Sequence, residues 1–78
     1  MDVNEIRRRI EEALTGSQAQ VQDMGGGDHI AVTVISPAFL GKTRMQRHQM
    51  IYGIFKEEMA TDAIHALTLK TLTPDEVG

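Results

Sequence analysis

The stretch Ile64–Pro74 reads IHALTLKTLTP, and it predicts the last strand of a small sheet. Leu67 and Leu69 alternate with polar residues, which is the period-2 pattern of a half-buried strand. Proline has no N–H group to donate to a sheet, so pairing should stop at about Thr73. His65 stands among the first residues of this strand, where a side chain can leave the core and face a partner.

Two further strands precede it. Apolar residues occupy both alternating faces of Asp28–Ser36, which predicts a central strand, and Pro37 ends it. The segment Gln18–Met24 alternates more weakly and predicts an edge strand. The glycines at 25–27 form a turn between the two segments, because glycine takes positive φ freely. We therefore expect these two strands to form a hairpin.

A first helix is predicted from apolar residues spaced three, four and seven apart, beginning at about Val3. Asp2 and Glu5 resemble a capping box at its start, and Gly16 is a natural stop. The arginines at 7–9 could contact a phosphate, but glutamates nearby favour a solvated helix face.

A second helix begins at Thr43, which forms a capping box with Gln46. Gly53 inside it predicts a break into two short helices, at about Thr43–Tyr52 and Ile54–Ala60. The residues expected to pack on the sheet recur at helical spacing. They are Met45, Tyr52, Phe55 and Met59.

The resulting fold class is α+β, an αββ(αα)β sandwich with a three-stranded mixed sheet and helices on one face. The second strand, the helices and the third strand form a crossover unit, which should be right-handed with parallel strands. Parallel neighbours start at the same edge of a sheet, about 4.8 Å apart. His29 opens the second strand and His65 opens the third, so their imidazoles are expected to converge on one ion or cluster if the register allows.

Composition limits what such a chain can do. Its 78 residues predict one domain, residues 1–78, with no room for a large internal active site, so an enzyme is not expected. There is no cysteine to supply a disulfide or a thiolate ligand. The first ten residues lack the apolar core of a signal peptide, and no apolar run is long enough to span a bilayer. We expect a cytoplasmic protein that does not bind a membrane.

The histidine pair is a candidate metal site. Imidazole suits zinc, copper, nickel and iron, but two ligands are too few for a closed zinc site, which needs four. A partner would therefore have to complete the coordination of a metal held by His29 and His65. The alternative is that each histidine is a surface residue with no ligand.

A basic cluster surrounds the start of the second helix. Its members are Lys42, Arg44, Arg47 and His48. Such a cluster could touch nucleic acid in a helix-turn-helix manner, or an acidic partner protein, or be a solvated helix face. The net charge of −3 argues against non-specific nucleic-acid binding, which requires neutralisation of phosphates.

The sequence resembles the BolA-like protein family along nearly the whole chain. The resemblance is carried by Phe39-Leu40-Gly41, Arg47-His48, Ile51-Tyr52, Ile64-His65-Ala66-Leu67 and Thr73-Pro74. It implies an αββαβ fold similar to type II KH domains. The usual aromatic residue after the Thr-Pro pair is missing here, which puts any partner contact of that tail in doubt, and the KH-type Gly-x-x-Gly loop is also absent.

The resemblance also implies a function. Family members pair with monothiol glutaredoxins and glutathione and share a bridging [2Fe–2S] cluster, acting in iron–sulfur trafficking or iron sensing. His65 matches the family's C-terminal histidine ligand, and His29 occupies the place of the second ligand. The isolated chain is then expected to carry no cofactor and to be a monomer or weak homodimer. Bacterial members are linked to cell shape, stress response and DNA binding, so a DNA-binding transcriptional regulator is the alternative.

Overall fold

The chain alternates helices and strands in the order αββααβ, as predicted. The computed structural model describes residues 1–77; Gly78, the last residue of the predicted domain, lies outside the described residues. The elements are α1 (Val3–Ala13), β1 (Gln18–Asp23), β2 (His29–Ile35), a first 3₁₀ helix (Pro37–Phe39), α2 (Arg44–Ile54), α3 (Lys56–Ala60), β3 (Ala66–Leu72) and a C-terminal 3₁₀ helix (Pro74–Val77). Among the helices of residues 1–77, none has the length and apolar composition needed to cross a membrane.

The sheet has the strand order β1-β2-β3, so β2 is central, as its two apolar faces predicted. β1 and β2 are antiparallel and β2 and β3 are parallel, which makes the sheet mixed. In this register Val32 lies opposite Val21 on one side and Leu69 on the other. The α+β class and the parallel pairing of the last two strands are thereby confirmed.

The core lies between the helices and one face of the sheet. Every second residue of β2 is buried there, while Ala31, Thr33 and Ile35 on the opposite face are only partly buried. This alternation follows from the period of two in a strand. The largest fully buried side chains are Phe39, Phe55, Ile6, Ile10, Ile30, Ile51 and Ile64.

The predicted packing face of α2 is wrong in part. Met45 is 71% exposed and Tyr52 is 37% exposed, whereas Ile51 and Phe55 are completely buried. Phe55 can share a helical stripe with either Ile51 or Tyr52, at four or three residues' distance. The aliphatic stripe is the buried one, and Tyr52 is left exposed beside it.

The predicted break in this helix occurs, but two residues after Gly53. The carbonyl of Ile54 accepts a hydrogen bond of 2.7 Å from the Arg9 guanidinium, and Phe55 separates α2 from α3. An arginine from α1 thus binds a backbone carbonyl at the end of α2. Gly53 itself lies within the helix, with open space where a side chain would stand.

The helix starts are close to prediction. Thr43 and Gln46 form the complete capping box, with bonds of 3.1 and 2.9 Å. Asp2 caps α1 by accepting the N–H of Asn4, while Glu5 lies 3.6 Å from Arg8. Asp2 is therefore the N-cap as predicted, whereas the carboxylate of Glu5 lies beside Arg8 instead of completing a capping box.

Candidate metal-binding edge

The side chains of His29 and His65 meet at the edge where β2 and β3 begin. Their rings stack, with centroids 5.3 Å apart and an interplanar angle of 29°. His29 is the first residue of β2 and lies opposite Ala66, the first residue of β3. His65 immediately precedes that strand, so the parallel register brings together two residues distant in sequence.

Asp28 fixes the backbone at both histidines. It precedes His29, and its carbonyl accepts the N–H groups of His65 at 2.8 Å and of Ala66 at 3.1 Å. The carbonyl of His29 in turn accepts the N–H of Met24 at 2.7 Å. These bonds fix the backbones of the two histidine segments relative to each other, which restricts the positions that the imidazole rings can take.

The loop before His29 depends on glycine. Gly25, Gly26 and Gly27 have φ angles of 133°, 74° and 78°, a region that other L-residues rarely occupy. The carboxylate of Asp23 accepts the N–H groups of Gly25 at 2.8 Å and of Gly27 at 3.2 Å. The glycines thus act as an ordered turn leading into the site, consistent with their predicted role in the hairpin.

Both imidazoles are accessible. The side chains of His29 and His65 are 53% and 60% exposed, and each has a carboxylate oxygen within 4.0 Å, from Asp28 and Asp62 respectively. Within residues 1–77, no three histidine or acidic side chains converge as a possible metal-binding group. The edge therefore presents a pair of accessible nitrogen donors, and a metal ion held by both would need further ligands from outside this pair.

The predicted basic cluster is divided by the structure. Lys42 and Arg44 are exposed and His48 is partly buried, whereas the side chain of Arg47 is only 13% exposed. Arg47 donates to the carbonyls of Lys42 and Thr71 at 3.1 and 3.2 Å. Its guanidinium therefore has internal partners and is less available to nucleic acid than the sequence suggested.

Arg47 also holds the C-terminal segment. It donates to Glu76 at 2.7 Å and lies 5.8 Å from the centre of the Phe39 ring. The hydrogen bond from Arg47, assisted by the N–H of Thr73, lowers the pKa of Glu76 to about 2. The family-like pair Arg47-His48 thus contains one structural residue, a role that the sequence pattern did not indicate.

Arg9 has a similar structural role that sequence reasoning missed. Arg8 pairs with Glu5 and Glu12 on the surface, as a solvated face predicts. Arg9 instead donates to Glu58 at 2.8 Å and lies 4.8 Å from the centre of the Phe55 ring. The partner is far away in sequence, so no local pattern could have identified it.

Comparisons with known proteins agree with this architecture. The family model described as "BolA-like protein" matches residues 7–76. The Acid stress protein IbaG of Escherichia coli K12 is 34% identical over 76 residues, covering 97% of this chain and 88% of that protein.

Solved structures are similar over the same length. A BolA protein homologue from Coxiella burnetii is 37% identical, with a TM-score of 0.81, covering 99% of this chain and 96% of the other. The BolA domain of SufE1 from Arabidopsis thaliana is 30% identical, with a TM-score of 0.85 and coverages of 95% and 93%. The chain therefore belongs to the BolA-like protein family.

Proposed function

We propose that this protein is a non-enzymatic adaptor of iron–sulfur cluster trafficking and iron homeostasis in the cytoplasm. It binds a monothiol glutaredoxin with glutathione and shares a bridging [2Fe–2S] cluster through His29 and His65. The observation that carries the proposal is the contact between these two accessible imidazoles at one edge of the sheet, with ring centroids 5.3 Å apart. Family membership supports the same assignment.

The donor set fits such a cluster. Imidazole is a suitable ligand for iron, and the chain has no cysteine, so thiolates have to come from the glutaredoxin and its glutathione. A [2Fe–2S] cluster supplies a one-electron redox centre, and neutral imidazole in place of thiolate raises its reduction potential.

The chain's own contribution is to present two nitrogen donors. The carbonyl of Asp28 holds the backbone of His65, and the Asp23-supported loop leads into His29. A ligating imidazole nitrogen has to be free of its proton, so binding should weaken in acid. The isolated chain, a monomer or weak homodimer in this proposal, holds no cluster until a partner adds the remaining ligands.

The test is to combine the protein with a monothiol glutaredoxin, glutathione and a reconstituted cluster, and to record visible circular dichroism. His65→Ala and His29→Ala should each change the spectrum of the heterocomplex, because each removes one nitrogen ligand. His48→Ala is the matched control, because His48 is the third histidine of the sequence and lies in α2 and not at the histidine edge. It should leave the spectrum unchanged at saturating glutaredoxin. An unchanged spectrum for His65→Ala would show that the ligand assignment is wrong.

The alternative is a DNA-binding regulator of stress response and cell morphology. The name of the Escherichia coli relative, an acid stress protein, and the exposed cations Lys42 and Arg44 favour it. The internal bonds of Arg47 and the net charge of −3 weigh against it. A gel-shift titration at low salt decides, because binding through phosphate contacts is strongest there. No shift at low salt would remove the alternative.

A further inference from the structure

We propose that the outer side of α2 is a docking surface for an acidic, amphipathic helix of a partner protein. This surface, the α2 groove, is lined by Arg44, Met45, His48, Gln49 and Tyr52. It is separate from the histidine edge, and the proposal does not depend on cluster binding.

The groove exposes large apolar side chains. Met45 is 71% exposed and Tyr52 is 37% exposed, although their spacing suggested core positions. They are seven residues apart and so lie above one another on the same side of the helix. Together they form the floor of a shallow groove of about 750 Å³. Tyrosine, methionine and arginine, which all line it, are enriched in protein–protein interfaces.

The charge of the groove indicates what kind of partner fits. Arg44 lies at one end and His48 in the middle, and the exposed Lys42 stands just before the helix. Among the residues that the structure describes, no carboxylate lines the groove, although the whole chain has a net charge of −3. A locally positive surface on a negative protein favours association with an acidic segment over other proteins of the same overall charge.

The combination of apolar floor and cationic rim matches one recurring binding mode. An amphipathic helix can place apolar residues against Met45 and Tyr52 and carboxylates against Arg44. Arginine is well suited to this role because its guanidinium binds carboxylates through two parallel hydrogen bonds. Within residues 1–77, neither Lys42 nor Arg44 forms an ion pair that would have to be broken first.

Other occupants fit less well. A second copy of this chain packed groove to groove would bring two copies of Arg44 into one interface whose lining supplies no carboxylate to pair with them, because a two-fold interface uses the same patch on both subunits. Duplex DNA requires more phosphate-neutralising cations than the groove supplies, since Arg47 is bound to Glu76. An acidic helix uses both the apolar floor and the cations.

The experiment uses the isotope-labelled full chain and a short synthetic amphipathic helix made of leucine and glutamate. Two-dimensional ¹⁵N–¹H spectra should show amide shifts at Met45, Gln49 and Tyr52, with little change in β1 or β3. A matched helix of leucine and lysine should produce no such shifts. Arg44→Glu and Tyr52→Ser should each weaken binding of the acidic helix about tenfold or more, as truncation of an interface anchor does.

Arg7→Glu is the matched control for Arg44→Glu. Arg7 is exposed on α1 beside β1 and does not line the α2 groove, so the same charge reversal there should leave the affinity nearly unchanged. Met45→Ser gives an independent variant of the apolar floor, and melting curves check that all variants remain folded. His65→Ala should bind the acidic helix with the same affinity as wild type, which separates this proposal from that of the cluster ligands.

The proposal is overturned by any of three results. One is the absence of shifts at saturating acidic helix, or equal shifts with the lysine helix. Another is duplex DNA at physiological salt perturbing the groove residues more strongly than the acidic helix does. The third is concentration-dependent self-association in sedimentation that Tyr52→Ser abolishes, because the groove would then be a homodimer interface.

Discussion

Single residues set the backbone on which the histidine edge depends. Asp28 places one carbonyl between the two histidine segments, and Asp23 ties down the glycine turn before them. Asp28 acts here through its backbone carbonyl, and the Asp23 carboxylate acts by accepting backbone N–H groups. At this scale the conformation of the main chain matters more than the chemistry of the side chain.

Two glycines test how strongly the backbone conformation alone affects stability. Gly53 and Gly41 both have open space where a Cβ atom would stand, but Gly41 has φ +75° and Gly53 is helical. Gly53→Ala should raise the free energy of unfolding by up to about 1 kcal/mol, because it removes freedom from the unfolded chain.

Gly41→Ala is the matched control for this prediction. The new Cβ again meets no neighbour, but the left-handed conformation costs an L-residue about 1–2 kcal/mol, so this variant should be destabilised. Urea denaturation of both variants measures the two effects. Equal stabilisation by the two substitutions would show that the positive φ of Gly41 does not matter.

At the scale of elements, two arginines join helices to distant segments. Arg9 connects α1 with the junction of α2 and α3, and Arg47 connects α2 with β3 and the C-terminal 3₁₀ helix. Each guanidinium combines a carboxylate, a backbone carbonyl and an aromatic ring, here Phe55 and Phe39 respectively. Arginine suits such sites because its planar group donates in several directions and stacks on aromatic faces.

Arg9→Ala should lower the melting temperature by roughly 5 °C or more, since the 78-residue chain is small and several contacts are lost together. The substitution leaves the carbonyl of Ile54 and the carboxylate of Glu58 without their donor. Arg8→Ala is the control: it removes two exposed ion pairs on the same helix and should change the melting temperature little. Similar losses for the two variants would contradict a structural role for Arg9.

The contact between Arg47 and Glu76 predicts a pH dependence. The pKa of Glu76 falls from its ordinary value of 4.5 to about 2 in the folded protein, so the folded state favours the ionised carboxylate. The resulting stabilisation is complete above about pH 4.5 and is lost as the pH falls toward 2. The side chain is half-exposed, so salt should reduce the effect.

Glu76→Gln should therefore be less stable than wild type at pH 7, and the difference should shrink between pH 4.5 and pH 2. Urea denaturation at pH 7, 4 and 2 measures it. Asp75→Asn removes the same charge one residue away in the same 3₁₀ helix and should show no comparable pH-dependent difference. A gap between wild type and Glu76→Gln that is constant with pH would contradict the ion pair.

At the scale of the whole molecule, the crossover between parallel strands brings the two histidines together. β2 and β3 are joined through α2 and α3, which pack on one face of the sheet, so both strands begin at the same edge. The molecule thus builds its candidate site at a rim and not in an interior cavity. A rim leaves both imidazoles accessible from outside, as the proposed sharing of a cluster requires.

An edge with only two nitrogen donors should not depend on metal for its folding. Treatment of the isolated protein with a chelator is expected to leave the melting temperature unchanged, because the described residues include no group of three or more ligands. Differential scanning calorimetry before and after chelation checks this. A marked fall in the melting temperature would show that the isolated chain holds a structural metal ion.

Much of this protein follows from the sequence by itself. Alternation in β2 and β3, the capping box at Thr43 and the turn glycines determined the order of elements and placed a histidine at the start of each of two strands. These signals are local, since each depends on the periodicity or backbone preference of a few neighbouring residues. The family was recognisable for the same reason.

Only the tertiary structure decided which of those residues meet. The register of β2 against β3 stacks the rings of His29 and His65, and packing of α2 through Ile51 leaves Tyr52 at the surface. The internal bonds of Arg9 and Arg47 likewise depend on partners far away in the chain. Such contacts are set by how whole elements pack, which short-range patterns do not encode.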